Sequence, residues 1–281
     1  MRRFESGTND GSTPYGPLSV DKRGNVYGTT SGGGTFGGSL SGGVAFKISP
    51  VGSSWSESIL WNFGGPGDSS YVLSGLVPDS IGNFYGTSFF GGGNGYGSVF
   101  KLSPPAAGGI AWTESVLHSF ESNSVGGEYL QSSLSIDSQG TLYGAASGSG
   151  YNCCGSIFRM MLSSSGNWSF ESLYTFGVSR KTKDGNTPVG VTIDSRTGRL
   201  YGITEFNTYN QQGASGVVFE LAPPSATANK WAYSVLHNFY KTNETNPKTP
   251  LFFDLLGNIY GATESSGGTS AGGAFYKITR P

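Results

Sequence analysis

The feature that most constrains the fold is a short phrase that occurs five times along the chain. It begins as GNVYGTTSGGG at residue 24 and returns as GNFYGTSFFGGG at 82, GTLYGAASGSG at 140, GRLYGITEFN at 198 and GNIYGATESSGG at 257. Its tyrosines, Tyr27, Tyr85, Tyr143, Tyr201 and Tyr260, are spaced 58, 58, 58 and 59 residues apart. A fixed period of this length is typical of an architecture built from repeated supersecondary units.

A glycine-rich run after an apolar strand is also found in phosphate-binding loops. Here no Lys-Ser or Lys-Thr follows the glycines, and no helical periodicity follows them. A phosphate would therefore find neither the cation nor the helix N-terminus that such loops provide. Five copies at a fixed period indicate architecture instead.

Composition excludes several classes of protein. Charged residues make up 12% of the 281 residues and the net charge is −1, so there is no basic stripe to neutralise nucleic-acid phosphates. No apolar run reaches the ~18 residues of a membrane-spanning helix. The opening MRRFESGTND lacks the apolar centre of an export signal, so any such signal is expected to be removed from this sequence or never to have existed.

Aligned on the tyrosines, each copy divides into four short segments. In the second copy they are SGLVPDSIG, NFYGTS, GSVFKLSPP and WTESVLHSF. Each is rich in β-branched or aromatic residues and bounded by turn residues, which predicts β-strands. Four strands per unit of about 58 residues predict an all-β fold, a five-bladed β-propeller with four-stranded blades.

The two ends of the chain are predicted to close the ring. The fourth segment is complete in only four copies, and the N-terminal MRRF matches its end, with Phe4 in the place of Phe63, Phe120, Phe176 and Phe239. The N-terminal strand would then complete the last blade and leave no long unpaired edge. We expect one domain over residues 1–281, with repeats at about 5–63, 64–120, 121–176, 177–239, and 240–281 joined by 1–4.

Residues that recur in every copy are assigned to the scaffold. An aspartate precedes each tyrosine strand, followed by a glycine three residues later or, in the fourth copy, four; these are Asp21, Asp79, Asp137, Asp194 and Asp254. Asp-x-x-Gly is turn chemistry, because the carboxylate accepts backbone N–H bonds and the glycine takes a positive φ. The turn accounts for all five carboxylates, so the sequence predicts no metal site and no cofactor.

Aromatic residues recur on the outer segments and are expected to cover the gaps between blades. They are Trp55, Trp112, Trp168 and Trp231 on the fourth segment and Phe46, Phe100, Phe158, Phe219 and Phe275 on the third. The tyrosines are expected to pack between sheets, and the glycine after each to let a neighbouring backbone approach. His118 and His237 share a repeat position with Trp61 and Tyr174, so a structural role is expected and no Ser-His-Asp triad is built on them.

The only two cysteines, Cys153 and Cys154, are adjacent. They offer no zinc-site spacing. Two interpretations remain open: two small residues in a turn, or a vicinal disulfide. The disulfide ring would be strained, because neighbouring Cα atoms lie only about 3.8 Å apart.

The phrases GNVYGTT, GNFYGTS, GSVFKLSPP and GGVAFKISP resemble the tandem repeat of the GloVer-type proteins, also called choice-of-anchor tandem-repeat proteins. The resemblance covers almost the whole chain, although YGAASGSG and YGITEFNT in the third and fourth copies depart from the pattern. It implies a propeller and export to the cell surface or beyond. It implies no established activity and supplies no catalytic residues.

A binding site is expected on the long, variable loops that join second to third strands and one blade to the next. Flat rings for sugars are available there, and amides for hydroxyl groups; these residues are Phe89, Phe90, Tyr96, Tyr151, Phe206 and Tyr209, with Asn207, Asn210, Gln211 and Gln212. The alternative is that the aromatic residues pin long loops to the blade rim.

Glu205 and Glu264 end the second strand of adjacent copies, where the other copies have Ser31, Phe89 and Ser147. Two carboxylates facing one cleft could serve as the acid and base of a glycosidase. Strand spacing predicts a separation on the order of 10 Å or more, long even for an inverting pair. Further acidic candidates lie in the interblade loops, with solvated surface charge as the alternative: Asp184 above all, then Asp10, Asp68, Glu128 and Glu244.

The sequence leaves three functions open. The first is a non-catalytic extracellular binding module for carbohydrate or another surface polymer. The second is a glycoside hydrolase or polysaccharide lyase with carboxylates at the channel mouth, which rests on fold-level analogy. The third is a structural, adhesin-like surface protein.

Overall fold

The structure is a computed structural model that describes residues 4, 10–37, 42–122, 127–148, 154–177, 184–206, 216–226, 228–239, 244–266 and 272–279. The chain divides into two compact units. Unit 1 comprises Met1–Ser124 with Glu128–Leu134, and unit 2 comprises Val125–Gly127 with Ser135–Pro281. The described residues form β-strands and turns, without a helix.

Unit 1 contains the first two blades, each an antiparallel sheet. The first blade consists of β1 (Gly11–Pro14), β2 (Ser19–Val20), β3 (Val26–Gly33), β4 (Val44–Val51) and β5 (Ser54–Asn62). The sheet of the second consists of β7 (Val77–Pro78), β8 (Phe84–Ser88), β10 (Ser98–Ser103) and β11 (Thr113–Ser119), while β6 (Ser69–Ser70) and β9 (Phe90–Gly91) pair with each other as a separate two-stranded sheet. The short segments β1 and β2 both pair with β3, so together they form the innermost strand.

Unit 2 contains three further sheets of the same order. The third blade consists of β12 (Ser135–Ile136), β13 (Leu142–Ala146), β14 (Ser156–Leu162) and β15 (Trp168–Thr175). The fourth consists of β16 (Asn186–Asp194), β17 (Arg199–Phe206), β18 (Val217–Ala222) and β19 (Ala232–Asn238), and the fifth of β20 (Glu244–Pro247), β21 (Phe252–Phe253), β22 (Ile259–Ser266) and β23 (Ala274–Ile278). The fold is the predicted five-bladed β-propeller with four-stranded antiparallel blades.

The recurring aspartates form the predicted turns. The Asp21 carboxylate accepts the backbone N–H groups of Arg23 and Asn25 at 2.8 and 3.0 Å, the Asn25 side-chain amide at 2.7 Å and the Tyr27 hydroxyl at 3.1 Å. The same aspartate–tyrosine bond recurs in the second, third and fifth blades. The repeated tyrosines therefore fasten the turn as well as packing between sheets.

In four blades the glycine after the tyrosine makes room for an aromatic ring of the third strand. At Gly202 a Cβ would also lie 2.6 Å from the Gly190 backbone oxygen, so the expected approach of a neighbouring backbone is found there. A Cβ on Gly28 would lie 2.6 Å from Cζ of Phe46, and one on Gly86 would overlap the Phe100 ring. Both phenylalanines are buried on the adjacent third strand, directly across from the glycine. The third-strand ring thus crosses the second strand where it has no side chain.

The fifth blade corrects one alignment. Tyr276, not Phe275, lies across from Gly261 and takes the place of Phe46 and Phe100. Phe275 is 73% exposed, so the prediction that it covers a gap between blades is wrong. Tyr276 fills that role, with its ring 5.2 Å from that of Phe239.

Neighbouring blades within each unit are joined by the same contacts. The ring that ends a fourth strand packs on the third strand of the next blade, as Phe63 does on Phe100 at 5.0 Å and Phe176 on Phe219 at 5.4 Å. Phe4 lies 5.1 Å from Phe46 in the same manner. Residues 1–3 and 5–9 lie outside the described part of the chain, so closure of the ring by the N-terminal strand stays a prediction.

The outer strands place the histidines where the sequence predicted. His118 and His237 pair across from Val99 and Val218, the position held by Trp61 and Tyr174 in the first and third blades. Each histidine packs edge-on against the phenylalanine two residues later, at 4.8 and 4.6 Å. Burial lowers the pKa of His118, although the Glu121 charge opposes this, so a neutral packing residue fits this site.

Candidate functional site

Three of the predicted ligand-binding residues meet in unit 1. Phe89 and Phe90 lie where β8 passes into β9, with ring centroids 4.7 Å apart. Tyr96 lies at the end of the same loop, before β10. All three side chains are partly exposed. The loop of the second blade therefore gathers its aromatic residues in one place.

Two tyrosines that the sequence analysis did not single out complete this group. Phe89 stacks on Tyr129 at 4.9 Å with an interplanar angle of 26°, and Tyr96 lies 6.2 Å from Tyr129. Tyr71 lies 5.9 Å from Phe89 and 5.8 Å from Phe90. We call Tyr71, Phe89, Phe90, Tyr96 and Tyr129 the aromatic cluster. Burial raises the pKa of Tyr129, and the charge of Glu128 adds to the effect, so the Tyr129 hydroxyl remains a neutral donor at ordinary pH.

The backbone explains why the two tyrosines point into the cluster. Tyr71 and Tyr129 have positive φ angles of 51° and 57°, which non-glycine residues adopt only at a cost of order 1 kcal/mol or more. Their N–H groups donate to Gly42 and Tyr96 carbonyls, each at 3.1 Å. The equivalent residues of the other blades, Thr13, Thr187 and Asn246, share the positive φ. The conformation is thus a repeated element of the scaffold, and its 58-residue offset was the available sequence signal.

Glu205 and Glu264 are brought together in unit 2 by a lysine. Lys248, which follows β20, lies with its Nζ 3.1 Å from Glu205 Oε1 and 3.3 Å from Glu264 Oε2. The nearest oxygens of the two carboxylates are therefore separated by no more than the sum of these two distances. The expected separation on the order of 10 Å is wrong, because it took only strand spacing into account.

The ion pairs also set the electrostatics of this second group. Its side chains are 26% exposed at Glu205, 60% at Glu264 and 47% at Lys248. The hydrogen bond to Glu205 raises the pKa of Lys248, and Glu264 contributes in the same direction. A cation shared between two carboxylates neutralises half of their charge.

Asp184 and Phe206 lie elsewhere in unit 2. Asp184 is 7% exposed and accepts the Tyr174 hydroxyl at 2.7 Å and the Gly177 N–H at 3.3 Å. These bonds satisfy its carboxylate within the packing between blades. Phe206 ends β17 across from Asn186. Asp184 therefore serves the scaffold, and the ligand-binding role of Phe206 stays a prediction.

Several remaining candidates fall outside the described residues. They are Tyr151, Asn207, Tyr209, Asn210, Gln211, Gln212 and Cys153. Cys154 is disulfide-bonded and buried, and its pairing with Cys153 stays a prediction. Among the described residues no three His, Cys, Asp or Glu side chains converge as a metal site would require. Nor do those residues include a helix long and apolar enough to cross a membrane.

Comparison with known proteins adds a family. The solved structure of an exo-1,5-α-L-arabinanase from a bovine ruminal metagenomic library is similar over 99% of this chain and 96% of its own length, at 11% identity and a TM-score of 0.43. Among curated protein sequences, none matches. The family model described as the Gloeobacter/Verrucomicrobia repeat matches residues 1–179 and 111–281. The chain therefore belongs to the Gloeobacter/Verrucomicrobia repeat family.

Proposed function

We propose that the chain is a non-catalytic binding module, at the cell surface or outside the cell, that holds carbohydrate or another surface polymer on the aromatic cluster. The observation that carries this proposal is the gathering of five partly exposed rings in one loop group. The C–H faces of sugar rings are apolar and pack against flat aromatic faces. Contiguous exposed apolar surface of this kind marks binding sites.

Differences between the copies support this proposal. The position of Tyr71 and Tyr129 holds Thr13, Thr187 and Asn246 in the other blades. The position of Phe89 holds serine or glutamate in them. The scaffold therefore folds without rings at these places, so the cluster, formed by residues of the second and third repeats, is an addition to the repeat.

The experiment is a binding survey against a panel of soluble polysaccharides, by affinity electrophoresis and then calorimetry. We expect binding to one polymer class, weakened about tenfold or more by Phe89→Ala or Tyr129→Ala, as for residues at the centre of an interface. Tyr15→Ala is the matched control, because Tyr15 is 67% exposed and is not a member of the cluster. No binding to any polysaccharide, or equal loss with Tyr15→Ala, would count against the proposal.

A second candidate is a glycoside hydrolase or polysaccharide lyase that uses Glu205 and Glu264. The observation that favours it is their closeness through Lys248, which falls nearer to the spacing of catalytic pairs than strand geometry had predicted. Its test is product formation from the same panel. Glu205→Gln and Glu264→Gln should each abolish turnover; unchanged rates in both variants would remove this candidate.

A further inference from the structure

Unit 1 contains a cleft of about 950 Å³ between the outer strands of its two blades. Trp61 of β5 and Trp112, just before β11, form part of its walls, and Ile110 is also a lining residue. Among the described residues of the lining, Asp68 and Glu114 carry charge, and none is a lysine, arginine or histidine. The cleft is thus apolar with a net negative charge.

The two carboxylates share one backbone donor. The N–H of Ser69 lies 2.7 Å from Asp68 Oδ1 and 3.3 Å from Glu114 Oε1. The indole Nε1–H of Trp61 donates to the other Asp68 oxygen at 3.1 Å. Burial raises the pKa of Asp68, against the opposing hydrogen bonds from Trp61 and Ser69. Two neighbouring carboxylates in an apolar cleft are costly unless a cation joins them.

In unit 2 the position equivalent to the cleft is occupied by the side chain of Tyr233. Tyr233 pairs with Leu221 as Glu114 pairs with Leu102, so the two occupy one repeat position. The Tyr233 ring stacks on Tyr174 at 4.3 Å with an interplanar angle of 12°, and its hydroxyl donates to the Asp184 carbonyl. Tyr174 itself takes the place of Trp61. The shorter Glu114 leaves open the space that a tyrosine ring occupies in the other unit.

We propose that this cleft binds a small organic cation, an ammonium or guanidinium group on an apolar body. Its volume is that of ordinary ligand sites, which are about 300–1,000 Å³. Tryptophan faces attract cations more strongly than other aromatic faces. Asp68 and Glu114 supply the opposite charge, and no described residue of the lining has a basic side chain that could neutralise them in the ligand's place. This site does not depend on polysaccharide binding by the aromatic cluster.

The test is a tryptophan-fluorescence titration of the whole chain with choline. The comparison probe is dimethylbutanol, the neutral alcohol in which carbon replaces the choline nitrogen. We expect saturable binding of choline and at least about tenfold weaker binding of the alcohol, since desolvated cation–π and charge contacts distinguish the two. Equal affinity for both probes, or no saturable binding of choline, would overturn the proposal.

Two substitutions of Glu114 separate the effect of its charge on choline binding from the effect of the cleft's shape. Glu114→Gln keeps the cleft and removes a charge, so choline should bind about tenfold more weakly. Glu114→Tyr copies the filled arrangement of unit 2 and should abolish binding, with a thermal midpoint at or above that of the wild type. Glu171→Gln is the control, because Glu171 lies on the outer strand β15 of unit 2, where it pairs with Arg159 of β14. Undiminished binding by Glu114→Tyr, or full displacement of choline by Ca²⁺ alone at equal concentration, would contradict an organic-cation site.

Discussion

The hydroxyl of Tyr201 donates a hydrogen bond of 2.5 Å to Glu220, its neighbour across the β17–β18 pair. In the other four blades the repeated tyrosine donates to the turn aspartate instead, and a cation lies across from it; these cations are Lys47, Lys101, Arg159 and Lys277. The turn of the fourth blade is one residue longer, and its Asp194 pairs with Arg196. The cross-strand position therefore carries the opposite charge in the blade where the tyrosine donates to it.

The contrast between Glu220 and the cations of the other blades predicts the effect of placing a lysine at position 220. Glu220→Lys removes the acceptor of Tyr201, which is 1% exposed, and the partner of Arg199. The free energy of unfolding should fall by about 1–3 kcal/mol, because a buried hydroxyl loses its hydrogen bond to Glu220. Lys101→Gln is the control and should change stability by no more than about 0.5 kcal/mol. Chemical denaturation measures both; equal effects would show that Glu220 is not a required acceptor.

The blades could be predicted from the sequence because each strand type carries its own recurrent residues at a fixed period. The aromatic cluster could be predicted only in part, since Tyr71 and Tyr129 reach it through a left-handed backbone conformation. Tyrosine has no preference for that conformation, so its residue type does not predict it. The equivalence of Glu114 to Tyr233 could not be predicted from the sequence for another reason. A β-bulge shifts the register between third and fourth strands in each of the first four blades, so equivalent outer-strand residues emerge only from the pairing.

The crossing of a ring over a glycine predicts a steric penalty. A methyl group at Gly86 would overlap the Phe100 ring, which is fully buried. Gly86→Ala should therefore destabilise the protein by about 1–3 kcal/mol, as overpacking does. At Gly272 an added Cβ meets nothing within 4 Å, so Gly272→Ala should be neutral or stabilise by up to about 1 kcal/mol. Thermal unfolding of both variants checks the contrast, and two losses of the same size would contradict the ring-crossing explanation.

The aspartate turn predicts a titration. The side-chain hydrogen bond from Asn25, followed by backbone bonds, lowers the pKa of Asp21 to about 2. Because the folded pKa is below the ordinary value of 3.8, the stabilisation is present above pH 4 and is lost as pH falls through about 2. Asn25→Thr, which copies Thr141 of the third blade, should raise the pKa of Asp21 towards 3.8. Carboxyl-carbon NMR measures this, with Asp254, also at about 2, as the internal reference.

The ion pairs of Lys248 predict an alkaline transition. Hydrogen bonding to Glu205, with a further contribution from Glu264, raises the pKa of this lysine above its ordinary 10.5. A raised lysine pKa gives stabilisation that is fully present below pH 10.5 and lost as pH rises through the folded-state pKa. Since the groups are partly exposed, Lys248→Met should cost no more than about 1 kcal/mol at pH 8. The difference from wild type should begin to shrink above pH 10.5, where the unfolded-state lysine releases its proton, and should vanish above the folded-state pKa. Lys230→Met, at an exposed lysine, should show no such trend. A cost for Lys248→Met that stays constant to pH 12 would assign the lysine a packing role without charge pairing.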